Sequence, residues 1–452
     1  MYPKIKEGVV LRRRNNSHNL TDSDRVVVTQ SGENYFVTEE MFDAFVKCDG
    51  ETHIDSILGL NDFIQEVPEC LEVISIHKNP ELKLSNQIVE TDGHVIPCRY
   101  AIWHLTKKCN MKCSHCYYLA AENVTEKINY SIDEIEKTAE NLHALGVEIV
   151  RLSGGEISVE RNNFELAFKL LTEKYNIPVI VNTNGWQFQD EIIDLVRNNP
   201  YLRGVQISLD GDSFSHNKLR GVKSYDQIVV NLKKYINAGI HVRVISMLTS
   251  DWMSTEKINA TCDAMSLLGV KDWVVEVPSA TGRWQGSESN KEKEIRLATN
   301  LFYKYLEKKQ HNIKQFSFMQ VFDWPMAKDL QKKSLDDYIC SHDLGLISFG
   351  PEGVSYCKLF ENQFGETLKN LGSMSESSFK DIWNKIATIR TSHRIVDNIS
   401  CRNCDLFEFC QGGCPGQYEK AELFQGCDNH SRNLARVKRN FMSKTKVGRR
   451  KC

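Results

Sequence analysis

Three thiols within eight residues, Cys109-Asn-Met-Lys-Cys113-Ser-His-Cys116, are close enough to wrap one inorganic cluster and too few to satisfy it. A four-iron, four-sulfur cluster takes four thiolates, so one iron would stay open to another ligand. The competing chemistry is zinc, which wants a fourth Cys or His, and His104 and His115 are the nearby candidates. A second concentration of thiols lies far downstream. Cys340 and Cys357 precede the run Cys401-x2-Cys404-x5-Cys410-x3-Cys414, with Cys427 beyond it. A zinc knuckle is the alternative there. Cys48, Cys70, Cys98, Cys262 and Cys452 have no partner at ligand spacing.

The elements around the triad follow from periodicity. Tyr100-Ala-Ile-Trp-His-Leu-Thr106 reads as a buried strand, which puts the three thiols on the loop at its C-terminal end. Further strands are expected at Glu148–Ser153, Pro178–Asn182, Gly204–Leu209, His241–Leu248 and Trp273–Val277, separated by helical stretches. Ser131 and Glu134 form a capping box at the head of one helix, whose apolar residues recur at helical spacing up to Gly146. Six strands alternating with helices imply a parallel sheet with chemistry at the C-terminal ends of its strands.

The second strand ends in Ser153-Gly154-Gly155-Glu156. Two glycines there let backbone approach a ligand with no Cβ in the way, and Glu156 offers a carboxylate to a cation; an ordinary turn is the alternative. The third and fourth strands end in Asn182-Thr-Asn184-Gly185 and Gln206-Ile-Ser208-Leu-Asp210-Gly211. By the two-residue period of a strand, Ser208 and Asp210 are expected on one face.

Ahead of the triad, Arg25–Thr29 and Tyr35–Val37 read as a β-hairpin. A helix opened by Thr38 follows, with an apolar stripe of Met41, Phe42, Phe45 and Val46, and a second short helix is expected over Thr52–Leu58. The chain has 452 residues, 41% hydrophobic and 26% charged, enough to bury one large core or two to three modest ones. A net charge of -2 argues against a nucleic-acid or membrane-surface role. No apolar run reaches the length of a membrane span, and Met-Tyr-Pro-Lys-Ile-Lys lacks the apolar core of a signal peptide. A cytoplasmic enzyme is expected, in which fifteen Cys serve metal or redox chemistry rather than disulfides.

The C-x3-C-x2-C triad followed by Tyr117 resembles the radical S-adenosylmethionine (radical SAM) superfamily. The resemblance implies a partial (β/α)6 TIM-like barrel over residues 96–310. It also implies S-adenosylmethionine chelated to the open iron, and a 5'-deoxyadenosyl radical that takes a hydrogen atom from substrate. Gly154, Gly155 and Glu156 would hold the cofactor's amino group. Asn184, Ser208, Asp210 and Arg220 would complete its shell, and Gly282-Arg283 resembles a loop near the adenine.

The downstream cysteines resemble the SPASM extension of peptide maturases, here 331–440 after a linker at 311–330, with a basic tail at 441–452. That resemblance implies two auxiliary iron–sulfur clusters, three in all. One would be held by Cys401, Cys404, Cys410 and Cys427, the other by Cys340, Cys357 and Cys414. The second set lacks a fourth thiol, and His342, Asp336 and Asp337 are candidates to complete it. Residues 1–95 resemble a winged-helix RiPP recognition element, which implies binding of a precursor's leader peptide as an added strand.

Together these point to a sactisynthase- or ranthipeptide-type enzyme that links a Cys sulfur to carbon, fed by a flavodoxin or ferredoxin. A carbon–carbon crosslinking maturase and an anaerobic sulfatase-maturing enzyme are the enzymatic alternatives. A non-catalytic iron–sulfur carrier or peptide-binding scaffold is the other, and it would have no use for Gly154-Gly155-Glu156 beside an under-ligated triad.

Overall fold

The computed structural model describes residues 2–5, 9–14, 25–28, 34–48, 52–57, 60, 71–74, 88–91, 98–120, 127–187, 189–278, 281–284, 291–308, 310–318, 322–324, 335–336, 345–359, 363–364, 368–418, 420 and 423–444. Cys340, Asp337, His342, Cys70, Cys452 and the tail from residue 445 lie outside them.

The described residues of the N-terminal module form two small sheets. β1 (Tyr2–Ile5) pairs with β5 (Leu71–Ile74). The other sheet holds β2 (Val10–Arg14), β3 (Arg25–Val28), β4 (Asn34–Val37) and β6 (Ile88–Thr91), in the order β4-β3-β2-β6. The expected hairpin is β3–β4, antiparallel from Arg25 opposite Val37 to Val28 opposite Asn34. The helix Glu39–Val46 starts where Thr38 Oγ1 accepts from the Met41 N–H. Its Met41, Phe42, Ala44 and Phe45 pack with Ile5, Val9, Leu11, Val37, Ile57 and Leu60 in a core of their own. Of the second expected helix, whose Leu58 lies outside the described residues, the described part forms a 3-10 turn, Ile54–Ser56.

The six expected core strands are β7 (Tyr100–His104), β8 (Ile149–Ser153), β9 (Val179–Thr183), β10 (Leu202–Ser208), β11 (Val242–Met247) and β12 (Asp272–Glu276). Each pairs in parallel with the next. Parallel neighbours need a long return path, and helices at Ile132–Ala144, Arg161–Lys169, Gln189–Val196, Tyr225–Asn237 and Thr255–Leu267 supply it. The Ser131–Glu134 capping box closes in both directions, at 3.3 and 2.9 Å.

Strand alternation divides the sheet into two faces. Val150, Leu152, Val179, Val181, Val205, Ile207, Val244 and Val275 are buried, in one core with Ile135, Leu142, Phe164 and Leu232 of the helices. The other face carries Ser153, Asn182, Gln206, Ser208, Ile245 and Met247, which line a cavity.

The sheet extends further than the sequence suggested. The segment 311–330, expected as a linker, contains β13 (Gln315–Phe318), parallel to β12, and β14 (Phe322–Trp324), antiparallel to β13. Four residues of alternating Gln-Phe-Ser-Phe are too short a signal to stand out, and what stabilises them is Phe316 and Phe318 packing on Phe302. At the opposite edge β15 (Leu346–Gly350) adds in parallel to β7, with β16 (Gly353–Ser355) folded back on it. The C-terminal cysteine region is thus joined to the core through the edge of its sheet, giving ten strands in one sheet among the described residues. Among the described residues no helix is long and apolar enough to cross a membrane.

Candidate active site

The triad loop leaves β7 and is pinned by backbone from three other places. The Leu105 N–H donates to Ser153 O (2.8 Å), the Gly155 N–H to Thr106 O (2.6 Å) and the Glu156 N–H to Lys108 O (2.9 Å). The Ser114 N–H donates to Leu219 O at 2.9 Å. The Arg283 N–H donates to Cys116 O (3.1 Å), while its guanidinium bonds to Cys113 O and Ala120 O.

The glycines explain themselves in this packing. A Cβ on Gly155 would stand 2.1 Å from Lys108 O, and one on Gly282 would stand 2.3 Å from Cys116 O. The Gly154-Gly155 turn, expected to let backbone approach a ligand, lines the cavity and also admits the chain's own triad loop. Gly282-Arg283, which resembles a loop near the adenine, braces the triad loop. No local pattern could reveal the bracing by Arg283, whose guanidinium partners are more than 160 residues away.

The thiols of Cys109, Cys113 and Cys116 line one cavity of about 230 Å³ with His115, Tyr117, Ser153, Gly154, Gly155, Glu156, Asn184, Ser208 and Arg220. Burial pushes Cys109 up to about 12, against the Met111 N–H that donates to its sulfur at 3.4 Å. Burial also raises Cys113, with the Arg220 guanidinium opposing it. Such thiols ionise readily only when a metal takes the place of their protons.

Glu156 is 1% exposed, and its carboxylate accepts from the Ser158 N–H (3.0 Å), Thr183 Oγ1 (2.8 Å) and the Asn184 N–H (2.6 Å). Burial pushes its carboxyl up against these three donors. Oε2 takes only one of them, which leaves that oxygen able to accept again. Asn184 Nδ2 donates to Asn110 Oδ1 at 2.7 Å, tying the end of β9 to the triad loop.

Arg220 ends the helix Ser213–Arg220 and forms a buried bidentate pair with Asp210, at 2.7 and 3.1 Å. Burial would raise Asp210, yet the Arg220 guanidinium overrides it and holds the carboxyl well below the usual carboxylate range. The neutral ring of His216 accepts the Asp210 N–H at Nδ1. Asp210 is fully buried and does not line the cavity: β10 stops at Ser208, so the alternation that placed the two on one face no longer applies. Its role is to hold Arg220.

Asn182 and Gln206 were not singled out from sequence, although each lies two residues before one that was, the spacing that shares a strand face. Asn182 Oδ1, Gln206 Oε1 and His115 Nδ1 are buried at the cavity without a hydrogen-bond partner. Burial, with Arg220 next, pushes His115 down to about 3, so it is a neutral imidazole.

A second constellation is formed by Cys401, Cys404, Cys410 and Cys427, which surround a small cavity with Asp428 and Arg432. Burial pushes Cys401 up to about 11 and Cys410 up to about 12. Cys414 stands outside this ring, its N–H donating to Asp428 Oδ2 at 2.9 Å. Cys357 follows β16, the last strand at that edge of the sheet. Among the described residues no three His, Cys, Asp or Glu side chains converge closely enough to share a single metal ion.

The Radical SAM superfamily profile matches residues 103–254. Over 323 residues the chain is 27% identical to the antilisterial bacteriocin subtilosin biosynthesis protein AlbA of Bacillus subtilis, covering 70% of this chain and 66%, just under two thirds, of that relative. The fold is similar to that of Streptococcus suis SuiB, at a TM-score of 0.64 and 17% identity, covering 93% of this chain and 98% of SuiB. SuiB is also known bound to its precursor peptide SuiA. A third likeness is to anSMEcpe with bound AdoMet, at a TM-score of 0.58 and 15% identity, over 78% of this chain and all of that one.

Proposed function

We propose that this chain, which carries a radical SAM domain over residues 103–254, is an enzyme that recruits a ribosomally made precursor peptide and joins a Cys sulfur to an unreactive carbon as a thioether. The observation that carries the reading is the convergence of Cys109, Cys113 and Cys116 on one cavity with Glu156, Asn184, Ser208 and Arg220.

The donor chemistry fits the cofactors. Three thiols suit a four-iron cluster with one open iron. The free acceptor side of Glu156 suits an ammonium group, and Arg220 with Ser208 suits a carboxylate. The unpartnered Asn182, Gln206 and His115 atoms suit a ribose and a base. Cluster and S-adenosylmethionine together supply a primary alkyl radical, able to take hydrogen from a carbon that no acid or base group can activate. The residues of the chain place the substrate, exclude water and hold the charges of the cofactor.

A peptide substrate is supported by the relatedness to a bacteriocin biosynthesis protein over 70% of the chain. Residues 1–95 would bind the leader: they have their own core, and the outer edge of β4 pairs with no strand among the described residues. Cys401, Cys404, Cys410 and Cys427 would hold one auxiliary cluster, and Cys340, Cys357 and Cys414 the other. A cytoplasmic flavodoxin or ferredoxin would deliver the electrons.

The test is mass spectrometry of a Cys-containing precursor after anaerobic reaction. One S–C bond replaces one S–H and one C–H, so the product is expected two hydrogens lighter per link, with the linked Cys resistant to alkylation. A product that loses two hydrogens and keeps every thiol alkylatable would make the bond carbon to carbon.

A further inference from the structure

Outside the cavity, one buried polar cluster spans both cysteine regions. Glu352 sits at the turn between β15 and β16, its side chain 9% exposed. Oε2 accepts from Tyr118 Oη at 3.0 Å, and Oε1 lies 2.8 Å from Lys358 Nζ and 3.9 Å from Lys107 Nζ. The Lys358 side chain is 2% exposed and that of Lys107 10%. The Tyr118 ring stacks on His104, centroids 4.2 Å apart, and Lys107 Nζ lies 5.5 Å from its centroid. Gly350 makes the contact possible, since a Cβ there would stand 2.2 Å from Tyr118 Oη.

The positions of these residues give the cluster its meaning. Tyr118 is two residues beyond Cys116, and Lys358 directly follows Cys357. One carboxylate therefore contacts a side chain two residues beyond Cys116 and the side chain directly after Cys357. Burying three charges and a phenol is costly, all the more so because Glu352 Oε1 meets the ammonium groups as ion pairs and makes no hydrogen bond among the described residues, and a surface contact would have joined the segments more cheaply.

We propose that Glu352 is a positioning residue that holds Cys357 and the triad loop in one fixed relation and places a negative charge beside the Cys357 site. The proposal rests on the reading above, in which Cys116 and Cys357 ligate different clusters. A fixed relation keeps both clusters at a constant distance from a peptide lying between them, so the placement of the reacting carbon does not depend on the peptide alone.

The experiment compares three reconstituted full-length variants with the wild type: Glu352→Gln, which keeps the shape and removes the charge, Tyr118→Phe, which cuts one arm, and Cys357→Ala. The readouts are iron content, the midpoint potential of the signal lost in Cys357→Ala, and the magnetic broadening between the two reduced clusters. Glu352→Gln is expected to keep full iron and to shift that potential upward, because a nearby negative charge no longer opposes reduction. Tyr118→Phe is expected to reduce the magnetic broadening and leave the potential within error. A merely structural residue would lower thermal stability in either variant and move neither spectroscopic readout. Unchanged potential and unchanged broadening in both, with iron retained, overturn the positioning role alone. If Cys357→Ala loses no iron, the ligand assignment beneath it falls as well.

Discussion

The two thiol constellations are built in opposite ways. The triad loop has little regular structure of its own and is held by backbone hydrogen bonds to Ser153–Glu156, Leu219 and Arg283, contacts reached only because Gly155 and Gly282 lack a Cβ. The ring of Cys401, Cys404, Cys410 and Cys427 is carried on two four-residue helices, Ile399–Arg402 and Phe407–Cys410, and on the turn before the helix Asn429–Lys444. Helices that short are not stable by themselves. The first site is therefore shaped by the fold, while the second, on the reading proposed above, would take its shape from what its thiols bind.

The largest effect expected from that contrast is at Gly155. In Gly155→Ala the new methyl would press on the Lys108 carbonyl, and the bonds from the Gly155 and Glu156 N–H groups to the loop would have to open. Displacing a catalytic loop by about 1 Å costs on the order of 100-fold in rate. The variant is expected to produce 5'-deoxyadenosine at least that much more slowly and to lose triad iron. Gly412→Ala, in the C-terminal region, meets Ile395 Cδ1 at 3.3 Å and is expected to cost less, chiefly through its positive φ of 87°. Equal cofactor cleavage by Gly155→Ala and wild type would remove the distinction between the two sites.

Much of this was legible in the sequence. The triad, the turn at Gly154-Gly155-Glu156 and the four-thiol ring are local spacings, and the six strands carry strong two-residue periodicity. What escaped is long-range. The bracing by Gly282-Arg283, the burial of Asp210 beyond the end of β10 and the addition of β15 to β7 depend on partners 163 to 246 positions away or on where a strand stops. Raising the local signal would not have revealed them; only the packed chain defines which backbone a missing Cβ admits.

The next effect concerns the charges that each site keeps buried. Asp210 and Arg220 are a desolvated pair, and removing one partner of such a pair costs about 3–5 kcal/mol. Asp210→Ala should lose stability in that range by denaturant unfolding. The native carboxyl is depressed, so its contribution is present above the unfolded value of about 3.9 and is lost as pH falls toward the folded value. Asp210→Asn should therefore flatten the acid limb of the stability profile below about pH 4. An unchanged limb would mean that the pair does not stabilise the wall of the first site.

The smallest effect, and the one that sharpens the contrast most, is at Asp428 beside the thiol ring. It is 2% exposed, with Oδ1 accepting from the Ser431 N–H at 2.9 Å and Oδ2 accepting from the Cys414 N–H at 2.9 Å and from Ser431 Oγ at 2.5 Å. It thus caps the last long helix and ties Cys427, its neighbour in sequence, to Cys414. In Asp428→Asn one of the two oxygens becomes an NH2 group, so either the cap or the bond to Cys414 faces a donor with a donor. A lost cap is worth about 0.5–2 kcal/mol. If the ring binds the proposed cluster, the metal would itself restrain Cys427 and the loss should be barely visible. In the metal-free protein the ring supplies no restraint, so hydrogen exchange over residues 398–430 should accelerate in the variant, while residues 105–118 stay as protected as in the wild type. Faster exchange in the triad loop as well would show that the two sites are not independently built, and that the loop depends on the thiol ring for its shape.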